Sequence, residues 1–568
     1  MLSYLFGTLV VLKHLWPRMR SHRLLYAVGD QTVFEWMYAH TAHAIVHGAN
    51  PFVTRAMNTP DGVNLLANTS MLAFGVLLAP VTLLFGAPVT FAVAQGACLG
   101  ATASAWYWLW SRHLVSSRLA AWVGGAVCGF APAMIAQANG HTNMTAQFVL
   151  PFLVWGSLRL ARSARPTRDG ALLGLGIVVQ FFVGPELLLD TALALGLFVA
   201  VYALNEPGVG RQWRGLATGL SVAAGVAFVL LAYPMYVQFF GHQSYRGISI
   251  AAWPGNDLTK LVTPSADTVA GDRTKALRFA MNAVEQNANF GWPLAIGVTT
   301  IAVALWRNRL VRTAWICALA FVWCSLGSPV TIHRHETSVS TPWRLLREVP
   351  LLDSLLPGRL AMIAVPFIAL VLAVAVDAAV AQWRSSATNR DRLGPGAMLL
   401  GVALALAPLA PTPLVVAQRP AVPTFIADGT WKRYVGDGRG LVFVPPATPE
   451  RTEPMAWQSA ALMGFSMPGG YFLGPVGPER IGKWPFNDRP TATLRFDVGY
   501  HDKSVDVTPE ARQAAADDLR LWRADAVVLP DGQQNHDKLL AVVTDLLGPG
   551  RRVDDVWLWD VRALTTGP

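Results

Sequence analysis

Long apolar runs separated by short, arginine-bearing loops constrain this chain more than any other feature. They lie near 88–110, 118–138, 144–161, 187–204, 216–240, 290–306, 311–327, 357–382 and 396–418, each roughly the 17–25 residues that cross a bilayer as a helix. A shorter run lies near 170–184. With the N-terminal segment from Met1 to Trp16 the total is about eleven, so the expected fold is a polytopic α-helical membrane protein. Of the 568 residues 53% are hydrophobic and only 14% charged, against about 25% charged in a soluble domain. The net charge of +10 does not read as nucleic-acid binding. Many of the arginines sit in short loops, where they act as topology signals and anionic-lipid contacts. Cys98, Cys128, Cys317 and Cys324 fall inside apolar runs without CxxC spacing, so they read as packing residues and not as a disulfide framework. No small-residue cleavage site follows Trp16, so the first segment reads as a span and not a signal peptide. Its shortness, with Lys13 inside it, suggests a slightly truncated start.

The run at 70–86 decides the topology, because every later loop inverts if it crosses. Arginines 112 and 118, then 159, 162, 165 and 168, then Arg211 and Arg214, then 307, 309 and 312, then 384, 390 and 392 mark five loops. All five share one side if 70–86 does not cross, and the positive-inside rule makes that side cytoplasmic. Residues 70–86 are therefore expected to form an in-plane or half-inserted helix. The outer side then receives 17–87, the turn at 140–143, the 184–186 mouth, the loops 241–289 and 328–356, and everything after 418. Arg18, Arg20 and Arg23 also land outside, at odds with the rule.

Residues with chemical potential gather on that side. Asp30, in Gly29-Asp30-Gln31-Thr32-Val33-Phe34-Glu35-Trp36, is either a helix N-cap or a functional acid. Trp36, His40, His43 and His47 share one face of the helix expected over 32–47. Three histidines suit a metal, but an interfacial helix with rings at headgroup depth is preferred. His141 lies in a tight turn between two apolar runs. Glu186 follows Gly184-Pro185 with Asp190 one turn below, and an acid inside a span is a functional hypothesis by default; a capping or inter-helix hydrogen bond is the alternative. The 241–289 loop offers His242, Tyr245, Arg246 and Asp257. Arg359 stands at the entrance of an apolar helix, where a guanidinium suits a phosphate bidentately or snorkels to lipid headgroups.

From 419 to 568 the pattern changes to a domain of about 150 residues, within the usual single-domain range. Strands are expected at 441–445, 526–529 and 556–559. Helices are expected at 509–522, capped by Thr508, and at 535–547, giving an α/β layer fold. The domain has no Gly-rich phosphate motif or evident nucleophile, so a binding or lid role is expected.

Several stretches together resemble the GT-C superfamily, the polytopic glycosyltransferases that use polyprenyl-phosphate sugars, and in particular a group of high-GC bacterial members. They are GDQTVFEW at 29–36, HGANPF at 47–52, PDGVNLLANTS at 60–70, LLAPVTLLFG at 77–86, GFAP at 129–132, GHTN at 140–143, QFFVGPE at 180–186, LPGRLAM at 356–362 and MAWQSAALMGFSMPGGYF at 455–472. The resemblance implies that Asp30 matches the catalytic acid of the first outer loop and that 70–86 is a juxtamembrane part of it. Many such proteins carry two acids where this chain has Pro185-Glu186, a departure from the pattern.

The reading that follows is an inverting glycosyltransferase of the cell envelope, in the plasma membrane with its C-terminal domain outside. It would move a sugar from a polyprenyl-phosphate donor to a glycan, lipid or protein acceptor. Asp30 is the expected general base. Arg359, with Arg246 and His141, is expected to stabilise the leaving phosphate, and Glu186 to orient donor or acceptor. Asp257 and His47 complete the candidate substrate-binding set. No cofactor is required, although a divalent metal is compatible with the scheme. Beyond donor and acceptor, the partners are membrane lipids and not nucleic acid. Two alternatives remain. A transporter or lipid flippase would use the same acids, but the two halves show no repeat. A non-catalytic envelope assembly protein would keep the fold alone.

Overall fold

A computed structural model describes residues 1–205, 213–484 and 489–565; Arg211 lies outside the described residues. The chain divides into two compact units. One comprises Met1–Ala27, Ala92–Ala232 and Gly247–Ala417, the other Val28–Phe91, Tyr233–Arg246 and Gln418–Pro568.

The apolar runs become helices, but not eleven spans. Among the described residues four helices are long and apolar enough to cross a membrane: Arg118–Gln137, Pro185–Asn205, Arg214–Phe240 and Pro357–Ser385. Breakers and polar residues set the difference. The 144–161 run splits around Gln147 and yields only Leu150–Leu160, with Pro151 in its first turn. The 290–306 run gives the 14 residues Gly291–Ala304, about 21 Å of helix at 1.5 Å per residue, against a bilayer core of about 30 Å. Arg309–Ser325 has 17 residues and stops before Gly327, whose φ is +69°. Leu393–Leu406 passes into a 3-10 turn at Ala407-Pro408. The N-terminal helix is Leu2–Val11. Ala87–His113 is long, but Gln95, Thr102 and Ser104 dilute its hydropathy. Pro166–Val183 carries Arg168 and Asp169 in its first turns. The 70–86 run is two helices, Leu72–Leu77 and Ala79–Phe85, each too short to cross.

Within the first unit Leu360–Ser385 packs against Arg118–Phe130 and Arg309–Ser325. Glycine permits the close approaches. A Cβ on Gly129 would lie 2.5 Å from the Cβ of Ala103, the small-residue packing typical of membrane helices. Other apolar side chains face outward, as Phe228 and Val229 do at 72% and 73% exposure. That is unfavourable in water and suits lipid.

The second unit holds a four-stranded sheet ordered Arg551–Val553, Val556–Asp560, Ala524–Pro530, Gly440–Phe443. Only the last pair is parallel. Val442, Val527 and Leu529 form its core with Leu519, Trp522, Leu539 and Val543 from the helices Pro509–Leu521 and His536–Leu547. Thr508 caps the first of these, its hydroxyl accepting from Ala511 N–H at 3.2 Å. The helix Val28–His47 belongs to the same unit and packs on Glu453–Ala460, Leu72–Leu77 and Ala79–Phe85.

Candidate functional site

In the first unit three loops converge on Arg359. Pro357–Arg359 is a 3-10 turn leading into the long apolar helix. Asn256, buried, fixes that turn by donating to the Gly358 carbonyl at 2.8 Å. The guanidinium then reaches two carboxylates. Nε and Nη2 donate to Glu285 Oε1 at 3.0 and 2.6 Å. Nη1 donates to both Glu186 oxygens at 3.3 and 3.2 Å. Arg359 therefore does not snorkel, and a phosphate would have to share it with two acids.

Glu285 extends the network. Its second oxygen accepts from Asn287 Nδ2 at 2.6 Å and Gln137 Nε2 at 3.2 Å. Gln137 in turn holds His141 Nδ1 through its own oxygen at 2.6 Å. Burial pushes the Glu285 carboxyl up, but the Arg359 charge and these hydrogen bonds together hold it below the usual range. Lys260 lies beside it, donating to Asn256 Oδ1 at 2.7 Å and to the Glu285 carbonyl at 2.9 Å. Burial lowers this ammonium to about 8 against the opposing pull of Glu285 and Asp257. Asp190 is buried one turn beyond Glu186. Asn143, only 9% exposed and packed by Gly184, has an amide oxygen with no hydrogen-bond partner among the described residues.

Asp257 has a different task. It caps Leu258–Val262 through Thr259 N–H at 2.8 Å and takes the backbone N–H groups of His333 and Arg334 at 3.2 and 2.7 Å. Its oxygens are engaged by backbone, an arrangement that fixes a turn.

In the second unit the Asp30 helix begins at Val28, so Asp30 lies in the first turn and does not precede it. A carboxylate there is favoured by the helix dipole. The side chain is half-buried, and its Oδ1 accepts from the Tyr471 hydroxyl at 2.8 Å. One turn on, buried Glu35 makes a bidentate pair with Arg419 at 2.7 and 2.5 Å and accepts from Gln31 at 2.7 Å. Trp36, 0% exposed, donates to Gln458 at 2.6 Å.

Trp36 and His40 are therefore buried in protein, with stacked rings 5.3 Å apart, and do not lie at a lipid surface. Burial and the neighbouring His43 lower His40 to about 4. His47 is exposed at the helix end, against the His43 ring. Among the described residues no group of three or more His, Cys, Asp or Glu is arranged to hold a metal. Arg246 is exposed, and its backbone N–H bonds to the Arg480 carbonyl at 2.8 Å. His242 bonds to the Asp61 carbonyl and Tyr245 to that of Ala67.

Glu186, His141 and Arg359 thus meet in one network. Glu285, which joins them, and Glu35, Arg419 and Tyr471 escaped the sequence reading. Glu285 had one signal: it opens the polar run Glu285-Gln286-Asn287 just ahead of an apolar helix.

No protein-family model matches the chain, and no curated protein matches it. Solved structures do. Arabinofuranosyltransferase AftD from Mycobacteria superposes over 99% of this chain with a TM-score of 0.55 and 15% identity. A mutant of that enzyme covers 94% of this chain and 36% of its own, with a TM-score of 0.51 and 15% identity. ArnT from Cupriavidus metallidurans, in the apo state, aligns over 100% of this chain and 97% of its own, with a TM-score of 0.46 and 14% identity. The chain shares its fold with AftD over nearly its whole length. It spans 39% of the length of the AftD chain.

Proposed function

We propose that this protein is an inverting glycosyltransferase that takes its sugar from a polyprenyl-phosphate donor at the outer face of the plasma membrane. The GT-C fold, shared with an arabinofuranosyltransferase at a TM-score of 0.55, is the observation that carries the reading. The acceptor is a hydroxyl of an envelope glycan, lipid or protein. Its oxygen attacks the anomeric carbon, the bond from that carbon to the phosphate oxygen breaks, and Asp30 takes the hydroxyl proton. Polyprenyl phosphate leaves, and the anomeric configuration inverts.

In the first unit the Arg359 cluster recognises the donor. Two carboxylates already engage the guanidinium, so the cluster favours sugar hydroxyls over a further anion. Glu186 and the Asn143 oxygen, which has no partner among the described residues, accept from such hydroxyls, and His141 joins the cluster through Gln137. In the second unit Arg246 and His47 are exposed and offer donors to the phosphate or the acceptor. No metal enters the scheme.

The test is transfer by purified protein in nanodiscs. The donors are a panel of synthetic polyprenyl-phosphate sugars beginning with arabinofuranose, the sugar named for the AftD fold match. Release of polyprenyl phosphate with a glycosylated acceptor of inverted configuration is expected from at least one donor. Donor binding without turnover across the panel would favour a lipid carrier instead.

A further inference from the structure

We infer that Tyr471 is a positioning residue for Asp30, so that the tail segment 455–472 builds the reactive site and does not merely stand beside it. The inference rests on the reading of Asp30 as the base. The Tyr471 hydroxyl donates to Asp30 Oδ1 at 2.8 Å across a sequence separation of 441 residues. A carboxylate swings freely about its last torsion unless something holds it, and a general base must meet its proton within hydrogen-bond reach. A donor on one oxygen fixes the plane of the carboxylate and so aims the group.

The tyrosine is itself held. Its ring lies on Gly29, where a Cβ would come within 3.1 Å of the ring Cε1 and 3.2 Å of the Pro449 carbonyl. The residue before Asp30 therefore has no side chain, and the phenol passes close over the backbone. Tyr471 N–H meets Met455 Sδ at 3.3 Å. Two glycines precede it with φ of +75° and +139°, values that other residues avoid. A Cβ on Gly470 would strike Met57 at 2.5 Å. At the other end of the segment Gln458 accepts from Trp36 and donates to the carbonyls of Ala56 and Phe465, both at 2.7 Å. The segment grips the Asp30 helix at both ends, at Asp30 itself and six residues later.

The test is a kinetic cycle with polyprenyl-phosphate donors from the panel above. Tyr471→Phe removes one hydroxyl and should lower kcat about 3- to 10-fold, as loss of a single hydrogen bond allows. The donor KM and the melting temperature should be unchanged. Gly29→Ala, which displaces the ring, should lower kcat in the same way. Tyr500→Phe, which removes a hydroxyl bonded to the Pro446 carbonyl in the same unit, should leave kcat alone. In an Asp30→Asn background, assayed over long incubations, Tyr471→Phe should cost nothing further, because residues acting through one another are not additive. Full kcat in Tyr471→Phe beside a silenced Asp30→Asn overturns the inference and leaves the base intact. A loss that multiplies in the Asp30→Asn background also overturns it. Wild-type turnover by Asp30→Asn, or no transfer by the wild type from any donor, overturns the reading on which it rests.

Discussion

Each unit buries acid against arginine, but in different arrangements. In the first, Arg359 serves both Glu186 and Glu285. In the second, Arg419 meets Glu35 with two hydrogen bonds, one to each oxygen. That bidentate pair is a framework device: it fixes the helix that carries Asp30. The first cluster shares one guanidinium between two carboxylates, with the Lys260 ammonium on the Glu285 carbonyl at 2.9 Å beside it. Its carboxylate oxygens keep lone pairs that hydrogen-bond donors on a ligand can use.

Breaking each arrangement sharpens the contrast. The largest effect is expected from Arg359→Ala, which strands two neighbouring carboxylates. Losing one partner of a buried pair costs about 3–5 kcal/mol, and a fall of melting temperature on that scale is expected. Glu35→Gln should cost about 3 kcal/mol by the same rule, because it removes the carboxylate of a buried bidentate pair. Glu285→Gln should cost only about 1 kcal/mol, close to one net hydrogen bond, since Arg359 then pairs one-to-one with Glu186. Its expected signature is a raised donor KM. Equal losses of melting temperature in Glu35→Gln and Glu285→Gln would erase the distinction.

Acid should separate the units by smaller amounts. His40 is lowered from 6.5 to about 4, so the unfolded chain takes up its proton first. The stability tied to its neutral form is full above about 6.5 and is lost as pH falls toward about 4. Glu285 is held below its ordinary 4.5, so its contribution is lost only as pH falls below that value. Melting curves of wild type, His40→Gln and Glu285→Gln between pH 7 and 4 check the windows. His40→Gln should flatten the upper part of the decline, and Glu285→Gln only its lowest part.

What the sequence revealed differed between the two regions for a physical reason. Apolar runs showed where helices lie, but their number as spans was overestimated. Helix length depends on single breakers such as Pro151 and Gly327 and on polar dilution in Ala87–His113, which a run of apolar letters does not resolve. Glu186, His141 and Arg359 were visible as candidates because each stands at the end of an apolar run, where a polar or charged group is conspicuous. Glu285 was not, since an acid in a polar loop looks solvated until the fold buries it. Glu35 was given no role, because its partner lies 384 residues away. Tyr471 lay inside the quoted stretch 455–472, but nothing local tied it to Asp30, 441 residues away.

The central claim is that Asp30 does chemistry, and one comparison tests it most directly. Purified wild type, Asp30→Asn and Asp30→Ala are assayed for sugar transfer from a polyprenyl-phosphate donor, alongside their melting temperatures. Asparagine keeps an oxygen that can accept from Tyr471, so a purely structural Asp30 would tolerate it. An amide cannot take the acceptor proton at neutral pH, and general-base catalysis is worth about 10²–10⁴-fold. A loss of that size in Asp30→Asn, at an unchanged melting temperature, is the result predicted. Transfer by Asp30→Asn at the wild-type rate would contradict the account and send the search for the base to Glu186.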